Sequence, residues 1–131
     1  MIKRPLNSRF REAVLQDVKT TTIRDKAWPV GVPIMLYNWS GAAYRSKQVD
    51  VCPVKVKGFW TIIITHNPGG KMVYECGKES GPSLWKTEGF DSQEDMDAWF
   101  RSTLKPGTGV RKTLMLFSRQ NTTICHDRAQ P

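Results

Sequence analysis

Residues 58–65 read GFWTIIIT and form the run of the chain most strongly biased toward β-structure. Branched and aromatic side chains favour extended backbone because they pack well on a pleated surface. Residues 67–70 are Asn-Pro-Gly-Gly, a strong turn signal, and residues 71–76 are again strand-like. The sequence therefore predicts a β-hairpin over residues 58–76.

Three more segments have strand patterns on either side of this hairpin. Residues 34–37 are a short apolar run that should end at Ser40-Gly41, and residues 110–117 should form the last strand. Residues 49–57 alternate between valine and polar residues, with a predicted break at Pro53, which lacks a ladder donor and should therefore lie at an edge or a bulge. Lys19 to Arg24 should be extended, because it contains three successive threonines.

Two helices are predicted at the flanks of these strands. The first should be capped by Asn7 or Ser8 and end near Asp17 or Val18. Its apolar face would comprise Phe10, Ala13, Val14 and Val18. The second should begin at the cap Asp91, with Glu94 completing a capping box, and bury Met96, Trp99 and Phe100.

These elements predict a small α+β domain over residues 1–120, with a mostly antiparallel, barrel-like sheet and flanking helices. Residues 77–87 are rich in Gly, Ser and Pro and should form a loop. Residues 121–131 should form a polar C-terminal tail with little to bury.

Length and hydropathy limit the class of protein. The 131 residues suffice for one core, and the apolar runs are too short to cross a bilayer. The first ten residues, MIKRPLNSRF, lack the apolar stretch of a signal peptide. We therefore expect a cytoplasmic protein without a membrane partner.

Charge favours a polyanionic partner. The chain has 20 basic and 12 acidic residues, and five of the acidic ones lie within residues 88–97. The rest of the chain contains 7 acidic residues and all 20 basic ones. Such an excess of positive charge attracts RNA in a salt-dependent manner. A well-solvated basic surface is the alternative interpretation.

The cysteines indicate neither disulfides nor a metal site. Cys52, Cys76 and Cys125 are odd in number and lie far apart in sequence. Cys125-His126 has only one other histidine, His66, to pair with. Free thiols and no bound metal are expected.

Two separated motifs resemble the ASCH domain family, which has the PUA-like fold of a small β-barrel with flanking helices. The first is Lys19-Thr20-Thr21-Thr22-Ile23-Arg24 after a helix and before a Val-Gly turn, and the second is Glu88-Gly89-Phe90 before a capped helix. The resemblance extends from about Phe10 to Phe117 and implies association with a nucleoside or RNA.

The first motif is similar to that of amidohydrolases in this family, which deacetylate cytidine carrying an acetyl group on its exocyclic amine. They also carry a lysine, a threonine three residues later, and then Ile-Arg-Asp. The resemblance implies Lys19, Thr22 and Glu88 as catalytic residues and no cofactor. Substrate binding is assigned to Arg24, Thr20, Thr21 and Trp28.

The chemistry of these residue types agrees with such a role. A threonine hydroxyl attacks an amide only if a base takes its proton, and a lysine can do so if burial or a nearby cation, such as Arg24, lowers its pKa. Glu88 could hold the lysine or protonate the leaving amine, and Arg24 or backbone amides near Val30-Gly31 could stabilise the oxyanion.

Other functions fit the same residues. A non-catalytic RNA-binding module would use the basic residues on phosphates, and a ribonuclease would use lysine, threonine and glutamate around a ribose hydroxyl. In a purely structural interpretation the threonines only favour a strand and Lys19 complements a helix dipole. Trp28, Trp39, Phe59 and Trp60 could stack on bases, but are also ordinary core or rim residues.

Overall fold

A computed structural model describes residues 1–76 and 84–120, and every structural statement below concerns that part of the chain. The elements in chain order are β1 Ile2–Pro5, a 3-10 turn at Ser8–Phe10, α1 Arg11–Leu15, β2 Thr21–Arg24, β3 Ile34–Trp39, β4 Gln48–His66, β5 Met72–Cys76, α2 Leu84–Thr87, α3 Gln93–Arg101 and β6 Thr108–Arg119. The predicted α+β class is confirmed.

The long strand β4 organises a six-stranded sheet. The strand order is β1-β3-β4-β6-β2, and β5 also pairs with β4. The first part of β4 pairs with β3, its remainder pairs with β6, and its last five residues pair with β5 as the predicted hairpin. All of these pairs are antiparallel except β1 with β3, so the sheet is mostly antiparallel as predicted.

The predicted barrel is wrong for the described strands. The strand path ends at β1 on one side and β2 on the other, so the sheet stays open. A sheet closes into a barrel only if its two edge strands pair with each other. The alternation of side chains within each strand does not indicate whether this pairing occurs.

The predicted break at Pro53 is also wrong. The strand continues through Pro53, which lies opposite Met35, while the register with β3 shifts between the Leu36–Cys52 and Tyr37–Asp50 pairs. The carbonyl of Pro53 accepts a hydrogen bond of 2.9 Å from Gln120 N. The proline is tolerated because its nitrogen lies on the same side as its carbonyl, toward β6, where the ladder ends at the Val54–Arg119 pair.

The first helix is shorter than predicted. Asn7 caps the 3-10 turn by accepting from Arg9 N at 3.0 Å, as expected. Asp17 then adopts a left-handed φ of 60°, and the backbone of Val18 donates to Ala13 O at 2.8 Å, which ends the helix. Val18 is consequently 45% exposed and does not belong to the apolar face.

The predicted cap of α3 is displaced by one residue. Ser92 Oγ, rather than the Asp91 side chain, accepts from Asp95 N at 3.1 Å. Asp95 in turn accepts from Asp91 N at 3.1 Å, so a reciprocal capping arrangement exists with different members. Met96 and Phe100 are buried as predicted, whereas Trp99 is only partly buried.

The core lies between the sheet and the helices. The largest fully buried side chains are Ile34, Leu36, Ile62, Ile64, Met96, Met115, Val14, Val54 and Val56. Most come from β3, β4 and β6, which agrees with the strand patterns of the sequence. In the described residues no helix is both long enough and apolar enough to cross a membrane.

The predictions of a polar tail at residues 121–131 and of a free thiol at Cys125 lie outside the described residues, as does most of the predicted loop at 77–87. Cys52 and Cys76 are free thiols, as expected. Residues 84–87 of that predicted loop form α2 instead.

Candidate functional site

A cleft of about 280 Å³ opens where the ends of β1 and β3 meet β2 and the helices. Its polar lining comprises Asn7, Lys19, Thr22, Arg24 and Glu88. Its apolar lining comprises Pro5, Leu6, Phe10, Trp39, Phe90, Trp99 and Phe100. The fold thus brings both sequence motifs to one cavity.

Strand β2 enters the cleft in a fixed register. Thr20 N donates to Thr87 O at 2.8 Å and Thr20 O accepts from Phe117 N at 2.9 Å, so the backbone of Thr20 joins α2 to β6. Strand alternation then turns Thr22 and Arg24 to the same face, where both line the cleft. The described hydrogen bonds of Thr20 are all made by its backbone atoms.

Lys19 is buried, with 4% of its surface exposed. Its Nζ donates to the backbone carbonyls of Thr21 at 2.8 Å and Glu88 at 2.7 Å. It also lies 3.8 Å from Glu88 Oε1 and 4.7 Å from the centre of the Phe10 ring. Two N–H groups are therefore engaged, and a neutral amine would still have its lone pair available.

Burial lowers the pKa of Lys19 below its ordinary value of 10.5. The nearby Glu88 carboxylate raises this pKa, and the Arg24 guanidinium lowers it further. Desolvation is the largest cause, because a buried ammonium loses its hydration. Desolvation of this kind is one of the ways in which a lysine can become a base.

Glu88 is buried as well and is held from two sides. Its Oε2 accepts a hydrogen bond of 2.5 Å from Thr21 Oγ1, and its Oε1 faces Lys19. Thr21 Oγ1 also lies 3.1 Å from Thr87 Oγ1. The glutamate that α3 does not need as a cap is thus part of a buried polar cluster with Lys19, Thr21 and Thr87.

Arg24 acts on the neighbouring threonine. Its Nε donates to Thr22 Oγ1 at 3.0 Å, and its guanidinium lies 4.9 Å from the centre of the Trp28 ring. Burial lowers the pKa of Arg24, and Glu88 opposes this. The cation on Thr22 Oγ1 favours the deprotonated hydroxyl and leaves the Thr22 proton free to be donated elsewhere.

The ring of Trp28 packs against the guanidinium of Arg24. Trp28 is only 7% exposed, its backbone N–H donates to Met115 Sδ at 3.1 Å, and it is absent from the lining of the cleft. Trp28 thus packs against the arginine, and its role in binding substrate stays a prediction.

Gly89 allows the two motifs to approach each other. Its φ is 93°, and a β-carbon there would lie 3.0 Å from Phe10 Cδ1 and 3.2 Å from both Cβ and Cδ of Lys19. A side chain at this position would strain the backbone and push Lys19 away. The close approach of Phe10 and Lys19 therefore explains why the residue after Glu88 is a glycine.

The aromatic walls of the cleft were not assigned to the site from sequence. Phe10, Phe90 and Trp99 form a cluster of edge-to-face contacts with ring centres 5.2 to 5.6 Å apart. Helical spacing indicates that Phe10 and Trp99 face inward. Residues of the core and residues of a cleft wall have the same spacing, so the sequence does not distinguish between them. From the sequence alone, Trp39 is one of several aromatic residues able to stack on a base.

The part of the chain that the structure describes has no group of three or more His, Cys, Asp or Glu side chains arranged to hold a metal ion.

Comparisons with family models, curated proteins and solved structures found no match to this chain.

Proposed function

We propose that the protein is an ASCH-type domain whose sheet, unlike the PUA-like barrel, is open. In this proposal its cleft binds a nucleoside and hydrolyses the amide of cytidine acetylated on its exocyclic amine. The supporting observation is the buried Lys19–Glu88 pair, whose Nζ–Oε1 distance is 3.8 Å, beside Thr22 and Arg24 in one cleft. Perturbed ionisable residues gathered in a cavity are characteristic of catalytic sites.

The dimensions and walls of the cleft suit a small aromatic ligand. Its volume is about 280 Å³, near the lower end for small-molecule sites. Phe10, Trp39, Phe90 and Trp99 provide apolar surface for a base, while Asn7 and Arg24 provide polar contacts. A nucleoside combines an aromatic base with polar edges and matches this lining.

The reaction would use Thr22 as nucleophile and Lys19 as base. Thr22 Oγ1 adds to the acetyl carbonyl while its proton passes to neutral Lys19, directly or through one water. Arg24 stabilises the negative charge that develops on the carbonyl oxygen. The carbon–nitrogen bond then breaks, Lys19 returns the proton to the leaving amine, and water hydrolyses the acetyl ester on Thr22.

The hydrogen bonds favour Thr22 over Thr21 as nucleophile. Thr21 Oγ1 donates its proton to Glu88 at 2.5 Å and does not line the cleft. Thr22 Oγ1 receives a hydrogen bond of 3.0 Å from Arg24 and does line it. Glu88 in this scheme holds Lys19 and Thr21 rather than transferring a proton.

A non-catalytic RNA-binding module is the second candidate. The observation in its favour is that Lys19 Nζ donates to two backbone carbonyls, at 2.7 and 2.8 Å, an arrangement that also suits a purely structural ammonium. In this alternative the net charge of +8 supplies the affinity, which would fall steeply with added salt.

Incubation of the purified protein with acetylated cytidine at neutral pH tests the proposal. Release of acetate and cytidine in equal amounts is the expected result. Binding of cytidine or RNA without turnover at high protein concentration would instead favour the binding module.

A further inference from the structure

The loop at residues 40–47 forms a second depression beside the cleft. This depression has a volume of about 170 Å³ and is lined by Leu6, Asn7, Ser8, Trp39, Gly41 and Ala43. Leu6, Asn7 and Trp39 also line the main cleft, so the two cavities meet at these residues. A ligand longer than one nucleoside could extend from the cleft across Trp39.

The same loop presents an exposed aromatic ring. Tyr44 is 86% exposed, and its ring centre lies 5.1 Å from that of Trp39 with the planes inclined by 51°. Trp39 also makes an edge contact with Tyr37, with the ring centres 5.4 Å apart. The two outer rings therefore offer aromatic surface to solvent next to the cleft.

The backbone of Tyr44 is held in an unfavourable conformation. Its φ is 64°, in the left-handed region, which is uncommon for a bulky residue. The loop fixes it through hydrogen bonds from Gly41 N to Ser46 Oγ at 2.9 Å and from Ser46 Oγ to Ala42 O at 2.8 Å. Strained residues that the surrounding structure maintains are often found at binding sites.

Basic side chains accompany the rings. Arg45 and Lys47 flank Tyr44 and are exposed, and neither forms an ion pair within residues 1–76 and 84–120. Arg9 lies over Phe90 and Trp99, with its guanidinium 5.0 and 5.8 Å from the ring centres, but it is already paired with Asp95, so Arg45 and Lys47 carry the argument. Stacking rings interspersed with cations are the arrangement that binds single-stranded nucleic acid.

We propose that Trp39 and Tyr44 form a second base subsite, so that the protein binds a single strand of RNA with one base in the cleft and a neighbouring base on these rings. Arg45 and Lys47 would contact the phosphates. The proposal rests on the proposed function, in that the cleft itself takes a nucleoside. It adds that a short oligonucleotide is a better ligand than a free nucleoside.

Titration of a fluorescently labelled four-nucleotide RNA, with cytidine as competitor, tests the subsite. Tyr44→Gly removes the ring and suits the left-handed backbone, while Tyr44→Phe keeps the ring. Phe59→Ala is the matched control, because Phe59 is an exposed aromatic residue of β4 that lines neither cavity.

We expect Tyr44→Gly to raise the Kd for RNA about tenfold and to leave the affinity for the competitor cytidine unchanged. Tyr44→Phe and Phe59→Ala should bind RNA with nearly the affinity of the wild type. Equal RNA affinity of Tyr44→Gly and wild type would overturn the subsite and leave the proposed function standing. Tyr44-dependent RNA binding without any cytidine competition would support the aromatic RNA surface and overturn the nucleoside cleft. Absence of binding by either ligand would overturn both.

Discussion

Thr21 Oγ1 donates a hydrogen bond of 2.5 Å to Glu88 Oε2, which joins the start of β2 to the residue that follows α2. The next residue, Thr22, instead accepts a hydrogen bond of 3.0 Å from Arg24. Two adjacent threonines thus have opposite surroundings, one fixing a buried carboxylate and the other facing the cleft. This difference is the basis for assigning separate roles to them.

Valine substitutions should separate the two threonines. Thr21→Val leaves the buried Oε2 of Glu88 without its threonine donor and should lower the free energy of unfolding by about 1.5–3 kcal/mol. Thr22→Val should lower stability less, but reduce kcat for acetylated cytidine by about 10³-fold or more. Urea denaturation and steady-state kinetics measure the two effects. Full activity in a folded Thr22→Val protein would exclude this residue as nucleophile.

The Lys19–Glu88 pair should show strong energetic coupling. Lys19→Met leaves a buried carboxylate without its closest cation and should cost about 3–5 kcal/mol of stability. Adding Glu88→Gln should restore part of that loss, since the double variant has no unpaired buried charge. A double-mutant cycle in urea measures the coupling, with the exposed pair Lys112 and Asp25 as control. Additive losses at Lys19 and Glu88 would argue against a coupled pair.

The pH dependence of turnover should report the ionisation of Lys19. Because its neutral form is the proposed base, kcat/KM should rise with pH along a limb whose apparent pKa lies below 10.5. Arg24 lowers the pKa of Lys19, so Arg24→Gln should move this limb to higher pH besides reducing the rate. A limb that stays in place in Arg24→Gln would show that it belongs to another group.

Gly89 offers a test of how closely Lys19 must be packed. Gly89→Ala introduces a β-carbon 3.2 Å from Lys19 at a φ of 93° and should reduce both stability and turnover. Gly107→Ala is the matched control, because its φ is 83° but no atom lies within 4 Å of the added carbon. We expect each change to cost about 1–3 kcal/mol through backbone strain, and Gly89→Ala alone to impair activity. Equal activity of the two variants would mean that the contact with Lys19 is unimportant.

Local patterns predicted the strands of this fold better than its edges. The hairpin of β4 and β5 followed from residues 58–76, whose side-chain preferences and turn residues agree with each other. Strand β1 was missed because Ile2–Pro5 is only four residues long and contains a proline, and its partner β3 is distant in sequence. The open sheet was missed for a similar reason, since edge pairing is a non-local property.

The sequence also identified the polar part of the cleft better than its walls. Lys19, Thr22, Arg24 and Glu88 were selected together, and the structure places all four around one cavity. Their catalytic roles stay predictions. The role of Trp28 in binding substrate also stays a prediction. Its contact with the Arg24 guanidinium could not be predicted, because a tryptophan near a motif gives no sign of which side it packs on.

The most direct test of the proposed chemistry compares Lys19 with Lys26, an exposed lysine of the same segment. The measurement is kcat/KM for acetylated cytidine in Lys19→Met and Lys19→Arg, with Lys26→Met and Lys26→Arg as controls and thermal unfolding to verify folding. Arginine keeps a cation next to Glu88 but cannot give up its proton at neutral pH. Our account predicts a loss of about 10³-fold or more in both Lys19 variants and none in the controls. A folded Lys19 variant that retains activity within about tenfold of wild type would contradict it.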